Sequence, residues 1–186
     1  MPDGAACSNA GSWRNPTSTI LPAGSLSFSP DGQLLAILTA EWQKKDFQPV
    51  VYLRTTTTGK IVARISTDAF KDLYRHPPVL RFSPDCRFLA GLSSTSLCIW
   101  EMNHAAEAAR IKGKKHFKDC VFLPDGRRLV TVSNDALVRV WRTDCWTETD
   151  AYEWKIGKLA CVAVSPDGCL LAAGGSTGKI VLWDAV

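Results

Sequence analysis

The sequence contains few histidines and no long apolar stretch. Its 186 residues include three histidines and no Gly-x-Ser-x-Gly motif, so the residues that build most nucleophilic sites are scarce. No apolar run approaches the roughly 20 residues that a membrane-spanning helix needs, and the first residues lack the basic and apolar blocks of a secretory signal. We therefore expect a cytoplasmic protein that is not an enzyme and that holds no cofactor and no metal.

Cysteine pairs with the spacing of a metal site are also missing. The number of cysteines, seven, is odd, and none belongs to a Cys-x-x-Cys pair. Most lie in apolar runs, which favours free thiols that act as small buried hydrophobic groups in a reducing compartment. The seven are Cys7, Cys86, Cys98, Cys120, Cys145, Cys161 and Cys169.

What the sequence does contain is an internal repeat. A five-residue motif with aspartate at its fourth position occurs four times, and these aspartates are 54, 40 and 42 residues apart. Each motif precedes an apolar run, and a second apolar run then ends in Leu53, Trp100, Trp141 or Trp183. The four copies are FSPDG at 28–32, FSPDC at 82–86, FLPDG at 122–126 and VSPDG at 164–168.

The residues between these runs predict tight turns and short strands. Proline fits the corner of a turn at φ of about −65°, and glycine supplies a positive φ. Asn134-Asp135 and Thr177-Gly178 predict a second turn in repeats 3 and 4. Each unit is therefore interpreted as four strands that must stack against neighbouring units. In repeat 3 we expect strands A to D at about 119–122, 128–133, 137–141 and 151–155.

The repeats resemble those of the WD40 family of β-propellers. The resemblance rests on the four aspartate turns, three tryptophans that end strand C and a period of about 40 residues. It implies an all-β fold with about four blades of four antiparallel strands. Because the fourth repeat stops after strand C, we expect a partial or open propeller whose last blade is incomplete.

The resemblance also divides the chain. Residues 1–24 form an amino-terminal segment, within which 17–21 could supply a closing strand. Residues 25–186 contain the four repeats, which span about 25–65, 79–111, 119–156 and 161–186.

In the family, a strand-B serine, an aspartate in the B–C turn and the strand-C tryptophan form a buried structural network with a histidine from the preceding loop. Ser133, Asp135 and Trp141 match the first three, and Trp100 and Trp183 are counterparts of Trp141. The resemblance gives all five a structural role.

The Gly-His pair that supplies the histidine is absent before every repeat. His76 and His116 each lie six residues before a motif phenylalanine, so either could replace it or lie there by coincidence.

Four blades are fewer than the family usually closes into a ring. Three interpretations stay open. The chain is part of a larger propeller, or two copies form a homodimer that completes an eight-bladed ring, or the chain is a small open propeller by itself.

Two long segments indicate an interaction surface. Repeat 1 has about six extra residues within 40–49, which we expect to form a long loop between strands B and C, and the connection at 66–78 is also long. Both should emerge on one face. Aromatic residues among basic ones are typical of a protein-recognition patch, although the aromatic rings could instead cover a blade edge. The candidates for partner binding are Trp42, Lys44, Lys45, Phe47, Phe70, Lys71, Tyr74 and Arg75.

The resemblance implies a scaffold that binds protein or peptide partners through loops on the propeller face. The alternatives are a fragment of a larger multidomain protein, such as a kinase- or protease-linked propeller, and a propeller enzyme with a small-molecule site. The enzyme would need inward acids or histidines at the starts of strands A, which are Ser25, Val79, Asp119 and Cys161. A nucleic-acid contact is a weaker interpretation and would use Lys112, Lys114, Lys115 and Lys118.

Overall fold

The structure is a computed structural model that describes residues 24–43, 46–70 and 78–185. These residues form fifteen β-strands and no helix, so the described part has no helix that could cross a bilayer. The prediction of an all-β fold is confirmed. The strands are β1 (Ser25–Phe28), β2 (Leu34–Gln43), β3 (Asp46–Thr55), β4 (Ile61–Ser66), β5 (Val79–Phe82), β6 (Phe88–Leu92), β7 (Ser96–Glu101), β8 (Ala106–Lys112), β9 (Phe117–Phe122), β10 (Arg128–Ser133), β11 (Leu137–Arg142), β12 (Glu148–Glu153), β13 (Leu159–Val164), β14 (Leu170–Gly175) and β15 (Ile180–Asp184).

Within the described residues the strands form four antiparallel sheets in chain order. Sheets 1, 2 and 3 contain β1–β4, β5–β8 and β9–β12, whereas sheet 4 contains β13–β15. Each sheet is a meander, and the first strands of neighbouring sheets contact one another in the order β1, β5, β9 and β13. The described sheets do not close into a ring, so the described part of the chain is an open propeller-like array whose last sheet has three strands.

The aspartate motif forms the turn between the first two strands of each sheet. In sheet 1 the Ser29 hydroxyl donates to the Asp31 carboxylate at 2.5 Å and accepts from the Leu34 N–H at 2.8 Å. The same carboxylate accepts from the Gln33 N–H at 3.0 Å. Sheets 2 and 4 repeat this pattern. Leu123 replaces the serine in sheet 3, so that turn lacks the hydroxyl.

Cys86 occupies the position of this turn that is glycine in the other sheets. Its φ is +59°, compared with +70° at Gly32, and a side chain in this region costs about 1–2 kcal/mol. We expect Cys86→Gly to raise the free energy of unfolding by about 1 kcal/mol, measured by urea denaturation. Gly32→Ala is the matched control, because no atom lies within 4 Å of a Cβ placed there. Gly32→Ala should lower the free energy of unfolding by about as much. Unchanged urea midpoints in both variants would contradict this account.

The extra residues of repeat 1 do not form a loop. β2 and β3 each have ten residues, and their pairing continues through Trp42–Phe47 to Gln43–Asp46. The prediction of a long loop was wrong because residues 40–48 contain no glycine or proline to interrupt the pairing, while a cross-strand aromatic pair supports it. The insertion therefore lengthens both strands and carries a hairpin beyond the rest of sheet 1.

Three hydrophobic cores fill the spaces between neighbouring sheets. Successive side chains of a strand point to opposite faces, so an inner sheet contributes to two cores at once. The core between sheets 1 and 2 includes Leu38, Leu53, Leu80 and Trp100. The core between sheets 2 and 3 includes Phe88, Phe122, Leu129 and Trp141. The core between sheets 3 and 4 includes Val130, Val138, Leu159 and Leu171.

Candidate interaction surface

The tip of the β2–β3 hairpin carries an aromatic pair, of which one ring is exposed. Trp42 and Phe47 face each other across the two strands, with ring centroids 4.5 Å apart and ring planes at 68°. Trp42 is 48% exposed, whereas Phe47 is half-buried and packs against the core between sheets 1 and 2. Phe47 therefore supports the indole ring from one side, and about half of the Trp42 surface stays open to a partner.

A polar network fixes the base of this hairpin. The buried Glu41 carboxylate accepts hydrogen bonds from the Tyr52 hydroxyl and from the Arg64 guanidinium, the latter at 2.5 Å. Arg64 also donates to the Ser66 hydroxyl at 2.6 Å. Burial and the neighbouring Glu41 carboxylate raise the pKa of Tyr52, so its hydroxyl remains a donor at neutral pH. These bonds join β2, β3 and β4, and they hold the hairpin to the sheet behind the exposed tip.

Phe70 lies in the core rather than on the surface. Its side chain is 1% exposed, and its ring centroid is 6.1 Å from that of Trp100. A Cβ at Gly91 would lie 2.7 Å from the Trp100 ring and 2.9 Å from the Phe70 ring, so glycine makes room for both. A partner cannot reach Phe70 in this structure, and we therefore remove it from the candidate surface.

The remaining candidates of the predicted surface lie outside the described residues, namely Lys44, Lys45, Lys71, Tyr74 and Arg75. His76 lies outside them as well. Among the eight candidates, the structure thus places three. It brings Trp42 and Phe47 together at the hairpin tip, whereas Phe70 is buried in the core against which Phe47 packs.

The Ser133–Asp135 pair forms in sheet 3 with an arginine as its cation. The Ser133 hydroxyl and the Leu137 N–H both donate to the Asp135 carboxylate. Arg139 donates to Asp135 at 2.6 Å and to Ser133 at 3.1 Å, and it lies 3.3 Å from Glu148. Burial alone would raise the pKa of Asp135, but the hydrogen bonds from Arg139, Ser133 and Leu137 outweigh it and hold the pKa below its ordinary value. The network ties the β10–β11 turn to β11.

The three strand-C tryptophans pack in cores but differ in their polar partners. Trp141 Nε1 donates to Thr131 Oγ1 at 2.9 Å, a contact that the sequence analysis missed. The strand register places Gly91 at the corresponding position of sheet 2, and Trp100 Nε1 has no hydrogen-bond partner among the described residues. Trp183 is half-buried, and its ring centroid lies 5.5 Å from that of another tryptophan. The signal for Thr131 was a hydroxyl residue between two valines in the interior of a mainly apolar run.

The cysteines differ in their surroundings. Cys98 and Cys120 lie in cores, and burial raises the pKa of each thiol to about 12. The expectation of buried thiols was wrong for three others, because turns and the open face of sheet 4 bring them to the surface. The exposed ones are Cys145, Cys161 and Cys169, whereas Cys86 is half-buried and Cys7 lies outside the described residues.

A basic cleft of about 260 Å³ lies between sheets 2 and 3. Its two acids, Asp135 and Glu148, already pair with Arg139. The aromatic rings that line it, Phe117 and Trp141, are each 7% exposed and offer little surface for stacking on a nucleic-acid base. Three of the four lysines considered for nucleic-acid binding line this cleft, namely Lys112, Lys114 and Lys115. In the described part of the chain, no group of three or more His, Cys, Asp or Glu side chains could hold a metal ion.

Comparison with known proteins agrees with the geometry. Residues 109–142 and 156–184 match the family model described as "WD domain, G-beta repeat". Over these two stretches the chain is thus similar to WD40 repeats, which supports the resemblance of its repeats to that family.

Two fungal proteins and one plant protein share part of this sequence. Over 77 residues the chain is 40% identical to "MST50-interacting protein 11" of Pyricularia oryzae and to "Small ribosomal subunit protein RACK1" of Neurospora crassa. The matched residues make up 39% of this chain and 24% of each relative. It is 44% identical over 62 residues to "Small ribosomal subunit protein RACK1y" of Oryza sativa subsp. japonica, covering 33% of this chain and 18% of the relative. The chain thus spans about a quarter or less of the curated relatives it matches.

Proposed function

We propose that this chain is a non-enzymatic scaffold that binds protein or peptide partners. The observation that carries the proposal is the exposed Trp42 ring, held by Phe47 at the tip of a hairpin that is fixed at its base. Tryptophan is enriched at the centres of protein interfaces because it buries a large apolar area with few rotatable bonds. The name of one relative, MST50-interacting protein 11, and the RACK1 relatives support a role in protein assemblies.

Basic residues that are close to Trp42 and Phe70 in the sequence favour one kind of partner. Lys44 and Lys45 lie between Trp42 and Phe47 in the sequence, and Lys71, Tyr74 and Arg75 belong to the connection between sheets 1 and 2. Such a surface would receive a partner that offers an apolar pocket with carboxylates around it. A protein partner is favoured over nucleic acid, because the rings of the basic cleft are buried.

The remaining parts of the proposal concern the setting of the scaffold. We place it in the cytoplasm, with the repeats at 25–65, 79–111, 119–156 and 161–186 as one domain after a segment at 1–24. It works either as a ring completed by a second copy or as a portion of a larger multidomain protein.

Trp42→Ala should abolish partner capture while leaving the fold intact. We expect the recovery of proteins that co-purify with the wild-type chain to fall at least tenfold with this variant, because the anchor ring is removed. Quantitative mass spectrometry of the co-purified proteins measures this, and circular dichroism checks the fold.

Trp42→Phe is the matched variant, because it keeps an aromatic ring beside Phe47 and should retain most partners. Equal recovery with wild type and Trp42→Ala would overturn the role of the hairpin. If no protein is enriched over a bare-resin control even with the wild-type chain, the scaffold proposal itself fails.

A further inference from the structure

The connections between neighbouring sheets differ in how closely they contact the next sheet. Between sheets 3 and 4, the connection after β12 is bonded directly to the turn between β14 and β15. The Lys158 N–H donates to Ser176 Oγ at 3.1 Å, and Thr177 Oγ1 donates to the Ile156 carbonyl at 2.9 Å. A Cβ at Gly175 would overlap that carbonyl, so these two segments leave no room between them.

The equivalent junction between sheets 2 and 3 is open. A backbone hydrogen bond joins the connection after β8 to the turn between β10 and β11, from the Asn134 N–H to the His116 carbonyl at 2.9 Å. Beside this bond the two segments form the rim of the basic cleft of about 260 Å³. The same position in the fold is thus closed at one junction and forms a cleft at the other.

The connection on the rim of this cleft is held at both ends. The Gly113 N–H donates to the Thr95 carbonyl and the Phe117 N–H to the Ser94 carbonyl, each at 2.9 Å. A Cβ at Gly113 would lie 2.8 Å from the Phe117 ring and 2.9 Å from the Lys115 carbonyl oxygen, so glycine allows this close approach. The lysines of the connection therefore lie on a short segment that a ligand would not have to order.

The cleft carries positive charge that no described acid neutralises. Lys114 and Lys115 are exposed, and neither makes an ion pair with a described residue. Their backbone N–H groups also donate no hydrogen bond within the described part of the chain. The acids that line the cleft, Asp135 and Glu148, are already paired with Arg139. The ammonium and N–H groups of the two lysines therefore remain available to an anion.

Charge and size together favour a phosphate monoester as that anion. The lining residues include four cations and two acids, which leaves a net charge of two positive. A phosphorylated side chain carries about −1.5 to −2 charges at pH 7 and three acceptor oxygens, and lysine binds phosphate as a point charge. The volume of about 260 Å³ is below the roughly 300–1,000 Å³ of sites for drug-sized ligands, so the cleft suits a single side chain.

We propose that this cleft binds the phosphate group of a phosphorylated serine or threonine in a partner peptide. A nucleotide is disfavoured, because Phe117 and Trp141 are each 7% exposed and offer little surface to a base. Free phosphate has the same chemistry but no chain to contact the rim, so it should bind more weakly. The cleft lies between sheets 2 and 3, and the proposal therefore goes beyond the proposed function and does not depend on Trp42.

A titration of the full chain tests the proposal. The probe is a fluorescein-labelled peptide library with a fixed central phosphoserine and randomised flanking residues, and the same library with unmodified serine is the reference. Fluorescence anisotropy should show saturable binding of the phosphorylated library, and binding of the serine library should be weaker by about tenfold or more. Rising salt should weaken the binding, because both ammonium groups are exposed.

A pair of double variants locates the binding. Lys114→Ala with Lys115→Ala should weaken binding of the phosphorylated library by about tenfold or more, because two of the proposed donors are removed. Lys118→Ala with Lys158→Ala is the matched control. It removes the same charge from two exposed lysines, one in β9 outside the cleft lining and one at the closed junction. It should bind like the wild type, and circular dichroism checks that all variants are folded.

Equal losses in the two double variants, or equal affinity for the two libraries, would overturn the site. Inorganic phosphate that competes as well as the phosphorylated library at the same concentration would overturn the assignment to a peptide. Trp42→Ala should bind the phosphorylated library like the wild type, and the Lys114→Ala, Lys115→Ala variant should still capture proteins through the hairpin. Failure of this site and failure of the proposed function are thereby distinguished.

Discussion

Replacing Trp141 with alanine is expected to lower the free energy of unfolding by about 3–5 kcal/mol. The ring lies in the core between sheets 2 and 3, where few neighbouring atoms can move to fill its volume, and its Nε1 is bonded to Thr131. Urea denaturation followed by circular dichroism measures the change. Trp42→Ala is the matched control, since the same side chain is 48% exposed there and should cost far less. Equal losses in the two variants would show that Trp141 does not occupy the core described.

The bond to Thr131 can be separated from the packing of the ring. Thr131→Val keeps the volume but leaves the buried indole N–H without its acceptor, which costs about 1–3 kcal/mol. In a Trp141→Phe background the same change should cost much less, because the donor is gone. Trp100, whose N–H lacks a partner among the described residues, indicates that a fully buried ring can be retained without this bond.

Asp135→Asn is expected to cost about 2–3 kcal/mol at pH 7, because it removes a charge-assisted pair with Arg139. The pKa of Asp135 is lower in the folded protein than its ordinary value. The stabilisation is therefore fully present above the unfolded pKa of about 3.9, and it is lost as the pH falls through the folded pKa. Thermal unfolding from pH 7 to pH 3 should show the wild-type and Asp135→Asn curves converging in acid.

Asp144→Asn provides the control for that experiment. Asp144 pairs with Arg142 in the same sheet, but both side chains are more than half exposed, and exposed pairs contribute little. This variant should match the wild type at pH 7. A difference between wild type and Asp135→Asn that stays constant down to pH 3 would contradict the assignment.

The residues of the turns explain how much of the fold could be predicted. Strand B of repeat 3 was predicted at Arg128–Ser133 and is found there, because the aspartate motif precedes it and Asn134-Asp135 follows it. Strand D was expected at about 151–155 and is Glu148–Glu153. Its sequence is polar and has no turn glycine to fix its start, so pairing with β11 decides the boundary.

The candidate surface was less predictable, because a local pattern does not reveal which side chains the rest of the fold covers. Trp42 and Phe70 are both aromatic residues near lysines in the sequence, yet one is at a hairpin tip and the other is in a core. The difference depends on Gly91, more than 20 residues away, which leaves space for the Phe70 ring. Thr131 was missed for a similar reason, since its acceptor role depends on a tryptophan in the next strand.

The position of Phe70 has a consequence for how the array unfolds. The residue belongs to the connection between sheets 1 and 2, yet it is packed inside the core that they share. In a repeat array, stability is approximately the sum of the units and of the interfaces between neighbours. An interface that contains its own connecting segment cannot open while that segment stays in place. Sheets 1 and 2 are therefore expected to exchange their amide hydrogens as one cooperative unit.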